Sequence, residues 1–283
     1  MATTNDLQIK LEDVSKSYHK QVLLNKINLD IYRGDAIALL GPNGCGKSTM
    51  MRLIGQLSPV STGKVSHSKS LKIGYVAPDF PDSLLTPETL FKQLMAIDQL
   101  SGAYDMMAEL VEQFGISQML KTPISYLSKG SKQKINVIQA LLSRPDILLL
   151  DEPLSGQDVA SQVYFIKLIQ KLNEEGVTVI MCCHEPFLTE ALARDVYHVK
   201  EGQLHLKESH ALDTAKTLYA VIITDSLEEG RETFLEAIQH VAQQIEESET
   251  DCQLICTVAE SQQLLSLCVA HQVHVRRLTH ELI

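Results

Sequence analysis

A nine-residue, glycine-rich loop constrains the fold more than any other feature of this chain. The apolar run AIALL at residues 36–40 predicts a buried strand, and TMMRLIGQL from Thr49 onward predicts an amphipathic helix. Between them lies GPNGCGKST, residues 41–49, which matches the pattern G-x-x-x-x-G-K-[ST] in its strand–loop–helix context. Such a loop wraps a phosphate group in backbone N–H groups, and the helix start adds partial positive charge. The stretch therefore predicts a phosphate site in an α/β domain.

The residue types in this loop, called the phosphate loop below, each have a chemical reason. Gly44 and Gly46 let the backbone approach a phosphate where a Cβ atom would collide with it. Lys47 places a positive charge on the β- and γ-phosphate oxygens, and Ser48 offers a hydroxyl group to Mg²⁺. Cys45 is compatible with nucleotide binding, because this position contributes mainly its backbone. Its thiol group also predicts that a bulky thiol reagent there should block ATP binding. The predicted nucleotide-binding residues are Gly41, Pro42, Asn43, Gly44, Cys45, Gly46, Lys47, Ser48 and Thr49.

A second motif, ILLLDEP at residues 147–153, predicts the hydrolytic centre. A buried strand delivers Asp151 at its carboxyl end, where open α/β sheets bind ligands. A carboxylate at that place can hold Mg²⁺, the expected cofactor, through water. Glu152 follows directly and is placed to accept a proton from an attacking water molecule.

Strand and helix patterns alternate over the first half of the chain, which indicates an α/β fold with a largely parallel sheet. Strands are predicted at 36–40, 72–76, 147–150 and 177–181, and the segment 7–31 predicts antiparallel strands. Thr86 as N-cap, followed by Pro87 and Glu88, predicts a helix start. Two helical stripes are then expected to be core, formed by Leu90, Phe91, Leu94 and Ile97 and by Tyr104, Met107, Leu110, Val111 and Phe114. An all-helical insert therefore interrupts the α/β domain.

The end of the chain predicts a second, smaller domain, with boundaries at 1–210 and 211–283. A hairpin is expected at 195–207, with Glu201-Gly202 in its turn. The pattern then restarts as βαβαβ, with strands at 219–224, 252–258 and 273–278. The first helix carries Phe234, Ile238, Val241 and Ile245 on one face, and the second spans 264–269. A unit of about 65 residues is marginal alone, so we expect this α+β accessory domain to be docked.

Charge and composition exclude several classes of function. Residues 211–283 contain 12 acidic and 4 basic residues and so carry −8 of the net charge of −10, which disfavours nucleic acid as a partner. No apolar run approaches the roughly 18 residues of a membrane span, and the N-terminus lacks a signal region, which predicts a cytoplasmic protein. Six cysteines then predict free thiols, and Cys268, His271 and His274 lack a fourth metal ligand.

The order of these motifs resembles the nucleotide-binding subunit of an ATP-binding cassette (ABC) transporter. The resemblance covers residues 1 to about 210, and it implies a P-loop NTPase domain with a parallel core sheet and an antiparallel β subdomain. It also implies that the insert, together with the helix after it, is a helical subdomain at about 81–145. Lys16-Ser-Tyr18 resembles the segment whose aromatic ring stacks on adenine, which makes Tyr18 the implied adenine contact.

Two further motifs of the family follow the acid pair. Ser155-Gly-Gln-Asp158 is similar to the D-loop, which communicates across the dimer, and Asp158 is its acid. His184, after the strand VTVIMCC, matches the switch histidine that contacts the γ-phosphate. The resemblance thus implies Glu152, His184 and Lys47 as the catalytic residues.

Leu127-Ser-Lys-Gly-Ser131 resembles the signature motif of the family, usually Leu-Ser-Gly-Gly-Gln. In the family the serine hydroxyl and the backbone N–H of the second glycine bind the γ-phosphate of ATP held by the other subunit. Ser128 and Gly130 match those residues, whereas Lys129 and Ser131 replace residues with a less direct role. Lysine in place of the first glycine resembles the branch serving ABC-2 type permeases, which exports drugs, antibiotics or ions. Lys129 could attract the phosphate, but we expect it to point to solvent, as Lys132 and Lys134 would.

One departure concerns the segment Ala77-Pro-Asp-Phe80, where the family usually has a glutamine that senses Mg²⁺ and reaches the permease contact. Pro78 aligns with that glutamine, and a shift of one residue would align Asp79 instead. We hypothesise that Asp79 partly substitutes as a ligand toward Mg²⁺, because a carboxylate can orient metal-bound water. Without the glutamine, ATP hydrolysis by this chain could also be slow or depend on the permease.

The resemblance implies an ATPase subunit that pairs with a second ATPase subunit, as homodimer or heterodimer, around two ATP molecules. It would drive integral-membrane permease subunits on separate chains, as a peripheral protein on the cytoplasmic face. Two alternatives stay open: a soluble ABC ATPase acting on a ribosome or another macromolecule, and a regulatory module that binds ATP without turnover. Intact Glu152 and His184 argue against the second, and the missing glutamine argues for it.

Overall fold

The computed structural model describes residues 6–19, 21–68, 70–98, 102–183, 186–209, 218–225, 231–247, 251–257, 260–271 and 273–282. The chain divides into two compact units, Met1–Leu212 and Asp213–Ile283, which we describe separately. Within the described ranges no helix is both long enough and apolar enough to cross a membrane.

The first unit combines two sheets with helices, and its α/β architecture confirms the predicted fold class. Its described strands are β1 (Leu7–Tyr18), β2 (Gln21–Tyr32), β3 (Ala36–Leu40), β4 (Thr62–His67), β5 (Ile73–Val76), β6 (Ile147–Asp151), β7 (Thr178–Cys182), β8 (Asp195–Lys200) and β9 (Gln203–Ser209). Its described helices are α1 (Lys47–Ile54), α2 (Pro87–Asp98), α3 (Ala103–Gln113), α4 (Lys129–Leu142), α5 (Val159–Glu174) and α6 (Pro186–Leu192).

The larger sheet has the strand order β5-β6-β7-β3-β8-β9. The first five of these strands are parallel, and β9 pairs antiparallel with β8 through the predicted hairpin. Every residue of β6 and β7 is buried, which explains why these strands are continuous apolar runs. The smaller sheet, β2-β1-β4, is antiparallel, as the segment 7–31 predicts for its first two strands.

The helical insert consists of α2 and α3, and α4 packs against both of them. Thr86 caps α2 as predicted, since its Oγ1 accepts the N–H of Thr89 at 3.3 Å. The predicted apolar stripes are wrong at two positions: Ile97 is 77% exposed and Tyr104 is 62% exposed. These are the end of α2 and the start of α3, so neighbouring turns of helix cover them on one side only.

The second unit is built as βαββαβ, which corrects the predicted βαβαβ order. Its elements are β10 (Leu218–Asp225), α7 (Arg231–Ile238), β11 (Gln244–Glu247), β12 (Asp251–Thr257), α8 (Ser261–Ala270) and β13 (Val275–Leu282). They form an antiparallel sheet of order β11-β12-β10-β13.

The missed strand β11 explains the error in the second unit. Its sequence QIEE has only one apolar residue, Ile245, which continued the helical spacing of Phe234, Ile238 and Val241 by coincidence. The helix ends at Ile238, and Ile245 instead pairs with Leu254 across β11 and β12. Cys268 lies in the core of this unit, whereas His271 stacks edge-on against Phe234 and His274 contacts Asp225.

Candidate active site

The carboxyl ends of the parallel strands place the predicted motifs on one edge of the larger sheet. The phosphate loop follows β3 and leads into α1, while β6 ends at Asp151. One strand, β7, lies between these two ends in the sheet, since β6, β7 and β3 are successive neighbours. Parallel sheets bind ligands at this edge, so the fold brings together motifs that are about 100 residues apart in sequence.

The phosphate loop is held by its own backbone. The Lys47 ammonium group donates hydrogen bonds to the carbonyl oxygens of Gly41 and Pro42 at 2.7 and 3.2 Å, and the N–H of Cys45 is bonded to Pro42 O at 3.3 Å. Lys47 is only 8% exposed. These contacts hold its charge inside the loop, where a phosphate group would lie.

Gly44 shows why the loop needs glycine. Its φ is 79°, in the left-handed region that glycine adopts without strain. A Cβ atom there would have no protein atom within 4 Å, so protein packing is not the constraint. The backbone conformation alone requires glycine, and it leaves open space on this side of the loop.

Asp151 is a buried carboxylate at the end of β6, with 2% of its surface exposed. Burial raises the pKa of Asp151, and the charge of Glu152 adds to that effect, whereas hydrogen bonds with Ser48 and Tyr75 oppose it. Ser48, in the first turn of α1, is thus close enough to the end of β6 to affect the pKa of Asp151. A buried carboxylate beside a hydroxyl group is an oxygen donor set that fits Mg²⁺, so Asp151 and Ser48 are the residues that would hold it.

Tyr75 is a contact of Asp151 that sequence reasoning missed. Its hydroxyl group donates to Asp151 Oδ2 at 3.4 Å from the neighbouring strand β5. Burial, followed by the charge of Asp151, raises the pKa of Tyr75 to about 12, so the phenol stays protonated and remains a donor. The parallel pairing of β5 and β6 could have indicated this contact, because Tyr75 lies beside Leu149, two residues before Asp151.

Glu152 has an unusual backbone. Its φ is 52°, which costs a residue other than glycine about 1–2 kcal/mol. Its N–H donates to Cys182 O at 2.9 Å, and its carbonyl oxygen accepts a hydrogen bond from Gln133 at 3.2 Å. The peptide groups on both sides of this residue are therefore fixed, which sets the direction in which its carboxyl group leaves the chain.

Of the two predicted nucleotide contacts His184 and Tyr18, the structure describes only Tyr18. His184 lies outside the described residues and follows in sequence the buried Cys183, the first residue after β7. Tyr18 is 45% exposed, and the Lys16 ammonium group lies 5.0 Å from the centre of its ring. Lys16 is itself fixed by a 2.6 Å hydrogen bond to Pro59 O. The cation occupies one side of the tyrosine ring, while the ring stays accessible to a flat ligand.

The signature segment, residues 127–134, begins α4. Ser128 is the N-cap of this helix, since its Oγ accepts the N–H of Ser131 at 3.2 Å. The two serine hydroxyl groups are also 2.9 Å apart, so Ser131 supports Ser128. Such an N-cap leaves the first N–H groups of the helix directed outward, where the helix start favours an anion.

Gly130 packs directly on the D-loop, residues 155–158. A Cβ atom at Gly130 would overlap the carbonyl oxygen of Gly156. Asp158 caps α5 through Ser161 and forms an ion pair with Lys134, whose ammonium group also donates to Phe114 O at 2.9 Å. The signature segment and the D-loop of one chain are thus fastened to each other.

The three lysines of the signature segment differ in exposure. The side chains of Lys132 and Lys134 are 19% and 12% exposed and pair with Asp82 and Asp158, so the expectation that they point to solvent is wrong. Their long stems lie against the chain, and acidic residues from other loops hold their charged ends. Lys129 is 62% exposed, in line with the solvent-facing expectation.

Asp79 contacts the signature segment. Its side chain is 83% exposed, and its Oδ1 lies 3.7 Å from Lys129 Nζ. The contact observed for Asp79 is therefore with the lysine that replaces the first signature glycine. A role of Asp79 toward Mg²⁺ stays a hypothesis.

Sequence comparison agrees with this arrangement. The family described as ABC transporter matches residues 24–155. The zinc import ATP-binding protein ZnuC of Wolbachia sp. subsp. Brugia malayi (strain TRS) is 30% identical over 184 residues, which cover 64% of this chain and 75% of that protein. The lantibiotic transport ATP-binding protein SrtF of Streptococcus pyogenes is 29% identical over 216 residues, covering 71% of this chain and 91% of that protein.

Structural comparison leads to the same family. The dimeric structure of MJ0796, a bacterial ABC transporter cassette, superposes with a TM-score of 0.63 at 26% identity, covering 72% of this chain and all of that one. A dimeric post-hydrolysis state of the same cassette, bound to ADP and Pi, gives a TM-score of 0.64 at 25% identity with the same coverage.

Proposed function

The chain belongs to the ABC transporter family as an ATP-binding subunit and ATPase, and we propose that two such subunits close around two ATP molecules to drive a separate membrane permease. The observation that carries this proposal is that the phosphate loop and Asp151 lie at the carboxyl ends of the parallel strands β3 and β6, on one edge of the larger sheet. The dimeric state of the related cassette MJ0796 supports the paired arrangement.

The residues of this chain would divide the reaction as follows. The phosphate loop wraps the β-phosphate, and Lys47 exchanges its hydrogen bonds with Gly41 and Pro42 for bonds to phosphate oxygens. Mg²⁺, when bound, neutralises phosphate charge and orients the γ-phosphate. Glu152 accepts the proton of the attacking water molecule. In this proposal Tyr18 stacks on adenine, and His184 contacts the γ-phosphate.

The partner subunit would complete the site with its signature segment. Ser128 and the N–H of Gly130 would contact the γ-phosphate held by the other subunit, assisted by the positive end of α4. We assign no direct phosphate contact to Ser131, because it supports Ser128. Lys129 is free to reach toward the phosphate only by leaving Asp79, and Asp158 would contribute through its hold on the signature segment.

A substitution that removes the carboxylate but keeps the size of the side chain tests the paired ATPase. In Glu152→Gln, binding of Mg-ATP should trap a dimer, because the γ-phosphate is bound but water is not activated. Gel filtration of the full chain at saturating ATP measures the dimer. Glu174→Gln, on the exposed end of α5, is the matched control and should behave like the wild type. A Glu152→Gln protein that stays monomeric would refute the sandwich.

For the permease contact we propose an apolar patch formed by Leu84, Leu85 and Tyr126, which are 79%, 42% and 76% exposed. Backbone hydrogen bonds from Ile124 to Leu85 O and from Ser125 to Ser83 O, at 3.0 and 2.9 Å, place the two segments side by side. The patch follows the segment that, in the family, reaches the permease, and it would receive an apolar cytoplasmic segment of that subunit.

Affinity capture from detergent-solubilised membranes tests this contact. The wild-type chain should recover integral-membrane subunits, and Tyr126→Asp or Leu84→Asp should lose them. Leu206→Asp is the matched control, because Leu206 is similarly exposed, at 56%, on β9. Recovery of ribosomes instead would favour the soluble alternative.

We further propose that the transporter is an exporter of the ABC-2 branch. Lys129 at the first signature glycine and the accessory unit at the end of the chain support this direction, while relatives include both a zinc import and a lantibiotic transport protein. Reconstitution of the subunits with their permease in vesicles tests it: ATP supplied on the side of this subunit should deplete substrate from that side. Accumulation there would identify an importer.

A further inference from the structure

A glutamine from the signature helix reaches the place where the family glutamine is missing. The loop after β5, residues 77–80 and called the β5 loop, offers only alanine, proline, aspartate and phenylalanine. Gln133, which lies in α4, approaches this loop from the other side and is 1% exposed. Its amide nitrogen donates to Ala77 O at 3.1 Å and to Glu152 O at 3.2 Å.

We propose that Gln133 is the positioning residue that couples the signature helix to both the β5 loop and Glu152. A primary amide has two N–H groups, and here each of them has a carbonyl acceptor in a different loop. The two acceptors are 75 residues apart in sequence, and Gln133 is the side chain that bridges them. The proposal rests on the proposed ATP sandwich, because the signature helix is what the partner's nucleotide would contact.

Glu152 depends on such a contact more than an ordinary residue does. Its left-handed φ of 52° persists only where neighbours over-determine it. Cys182 O accepts its N–H, and its carbonyl oxygen accepts hydrogen bonds from the Gln133 amide at 3.2 Å and, within the turn, from the Ser155 N–H at 3.3 Å. Gln133 supplies the contact that comes from the signature helix. If it is lost, only the longer bond within the turn holds the carbonyl group, and the carboxyl group can be displaced from the attacking water.

Two more amide side chains on α4 make the connection stiff. Asn136 Nδ2 donates to Ala77 O at 2.7 Å and contacts Gln133 Oε1 at 3.4 Å. Gln139 Nε2 donates to Tyr75 O at 3.2 Å and to Asn136 Oδ1 at 3.3 Å. Residues 133, 136 and 139 recur at helical spacing, so one face of α4 follows the end of β5 over two turns. Displacement of α4 would remove these donors from the partly buried carbonyl groups of Tyr75 and Ala77, so the β5 loop moves with the helix.

This arrangement connects the start of α4, where the partner's ATP would bind, to the hydrolytic residue Glu152. Ser128 and Gly130 occupy the start of α4, and Gln133 follows within the next turn. Docking of the partner's nucleotide on the helix start would set the position of α4. Because Gln133 is bonded to Glu152 O, a shift of α4 would also shift the backbone of Glu152. Gln133 itself contacts no substrate.

The test replaces the amide with an unbranched side chain of similar length. Gln133→Met in the full chain should lower kcat for Mg-ATP at least tenfold while KM and ATP affinity change less than twofold, since the phosphate loop is untouched. Gln170→Met is the matched control: Gln170 also donates one amide bond from a helix, to Ala191 O at 3.2 Å, and it lies on α5. This control should keep the wild-type kcat.

A spectroscopic readout follows the coupling without hydrolysis. The chain has no tryptophan, so Phe80→Trp gives a single reporter in the β5 loop. ATP-dependent dimerisation should shift its emission, and adding Gln133→Met should abolish the shift although a fluorescent nucleotide still binds. If Gln133→Met does not fold, as judged by circular dichroism, Gln133→Asn takes its place, because the shorter amide cannot reach both carbonyl groups.

The outcomes separate the two proposals. A wild-type chain without Mg-ATP hydrolysis and without an ATP-dependent dimer in Glu152→Gln refutes the proposed function. A wild-type chain that hydrolyses ATP, together with a Gln133 variant of equal kcat and unchanged reporter shift, overturns the inference alone.

Discussion

The phosphate loop and the signature segment both present a helix start to a phosphate group, yet they are held in opposite ways. In the phosphate loop, Lys47 and Cys45 are bonded to carbonyl groups at most six residues away. In the signature segment, Lys132 and Gln133 contact residues 19 to 56 positions away along the chain. A loop held by its own hydrogen bonds can bind a ligand without help from other segments. A segment held by distant loops shifts when those loops shift, so its position depends on theirs.

Glycine-to-alanine substitutions should separate these two modes most strongly. Gly130→Ala forces its Cβ onto the carbonyl oxygen of Gly156, so we expect a loss of about 2–4 kcal/mol in the free energy of unfolding while nucleotide binding by the single chain persists. Gly44→Ala meets no protein atom and pays only for its φ of 79°, about 1–2 kcal/mol, but should abolish ATP binding. Thermal melts and nucleotide titrations measure both. Equal destabilisation by the two variants would remove the contrast.

Thiol labelling addresses the open side of the phosphate loop. Cys45 is partly exposed, and the other five cysteines are buried, so one equivalent of a bulky maleimide should react quickly. Labelling should weaken ATP binding at least tenfold, and bound ATP should protect the thiol. Mass spectrometry locates the label, and Cys45→Ala is the unlabelled control. Full ATP affinity after modification of Cys45 would show that the loop tolerates bulk.

Asp151 offers a test in which stability and activity move in opposite directions. Burial and the charge of Glu152 raise its pKa, so its ionised form at neutral pH destabilises the nucleotide-free chain. Asp151→Asn should therefore increase the free energy of unfolding by roughly 1 kcal/mol, and it should abolish Mg-dependent hydrolysis. Because a raised pKa costs stability only once the group ionises, the gain should disappear as the pH falls below the folded-state pKa. A lower melting temperature for Asp151→Asn at neutral pH would contradict this balance.

The smallest expected effect concerns the fastening of the D-loop. Burial alone would raise the pKa of Asp158, but hydrogen bonds from Lys134 and Ser161 outweigh it and hold the pKa below its ordinary value. Its stabilisation is therefore present at neutral pH and lost as the pH falls through the folded-state pKa.

Asp158→Ala should accordingly cost about 1 kcal/mol at pH 7, the usual contribution of an N-cap, and nothing in acid. Denaturant melts at several pH values measure this difference, with the exposed Asp30→Ala as control. A cost that does not change with pH would assign the effect to packing instead.

The same contrast explains what could be predicted from the sequence. The phosphate loop and the strand ILLLDEP are local patterns with local causes, and the structure places both at one sheet edge as expected. The bridge made by Gln133 and the pairing of Lys132 with Asp82 depend on how α4 packs against β5, which no local pattern encodes. The strand β11 was missed for a similar reason, since its pairing with β12, rather than its own composition, makes it a strand.

The close approach of Gly156 to Gly130 also determines where this signature can vary. Lys129 extends into solvent beside Asp79, and Ser131 contacts the N-cap Ser128 through its hydroxyl group, which several small polar residues could do. These are the two positions that differ from the usual motif. Gly130 has a carbonyl oxygen where its side chain would grow, and that oxygen belongs to a loop with its own left-handed glycine. The freedom to diversify at residues 129 and 131 thus coexists with a fixed position, 130, because the backbone of residue 156 is present whatever its side chain and leaves no room there.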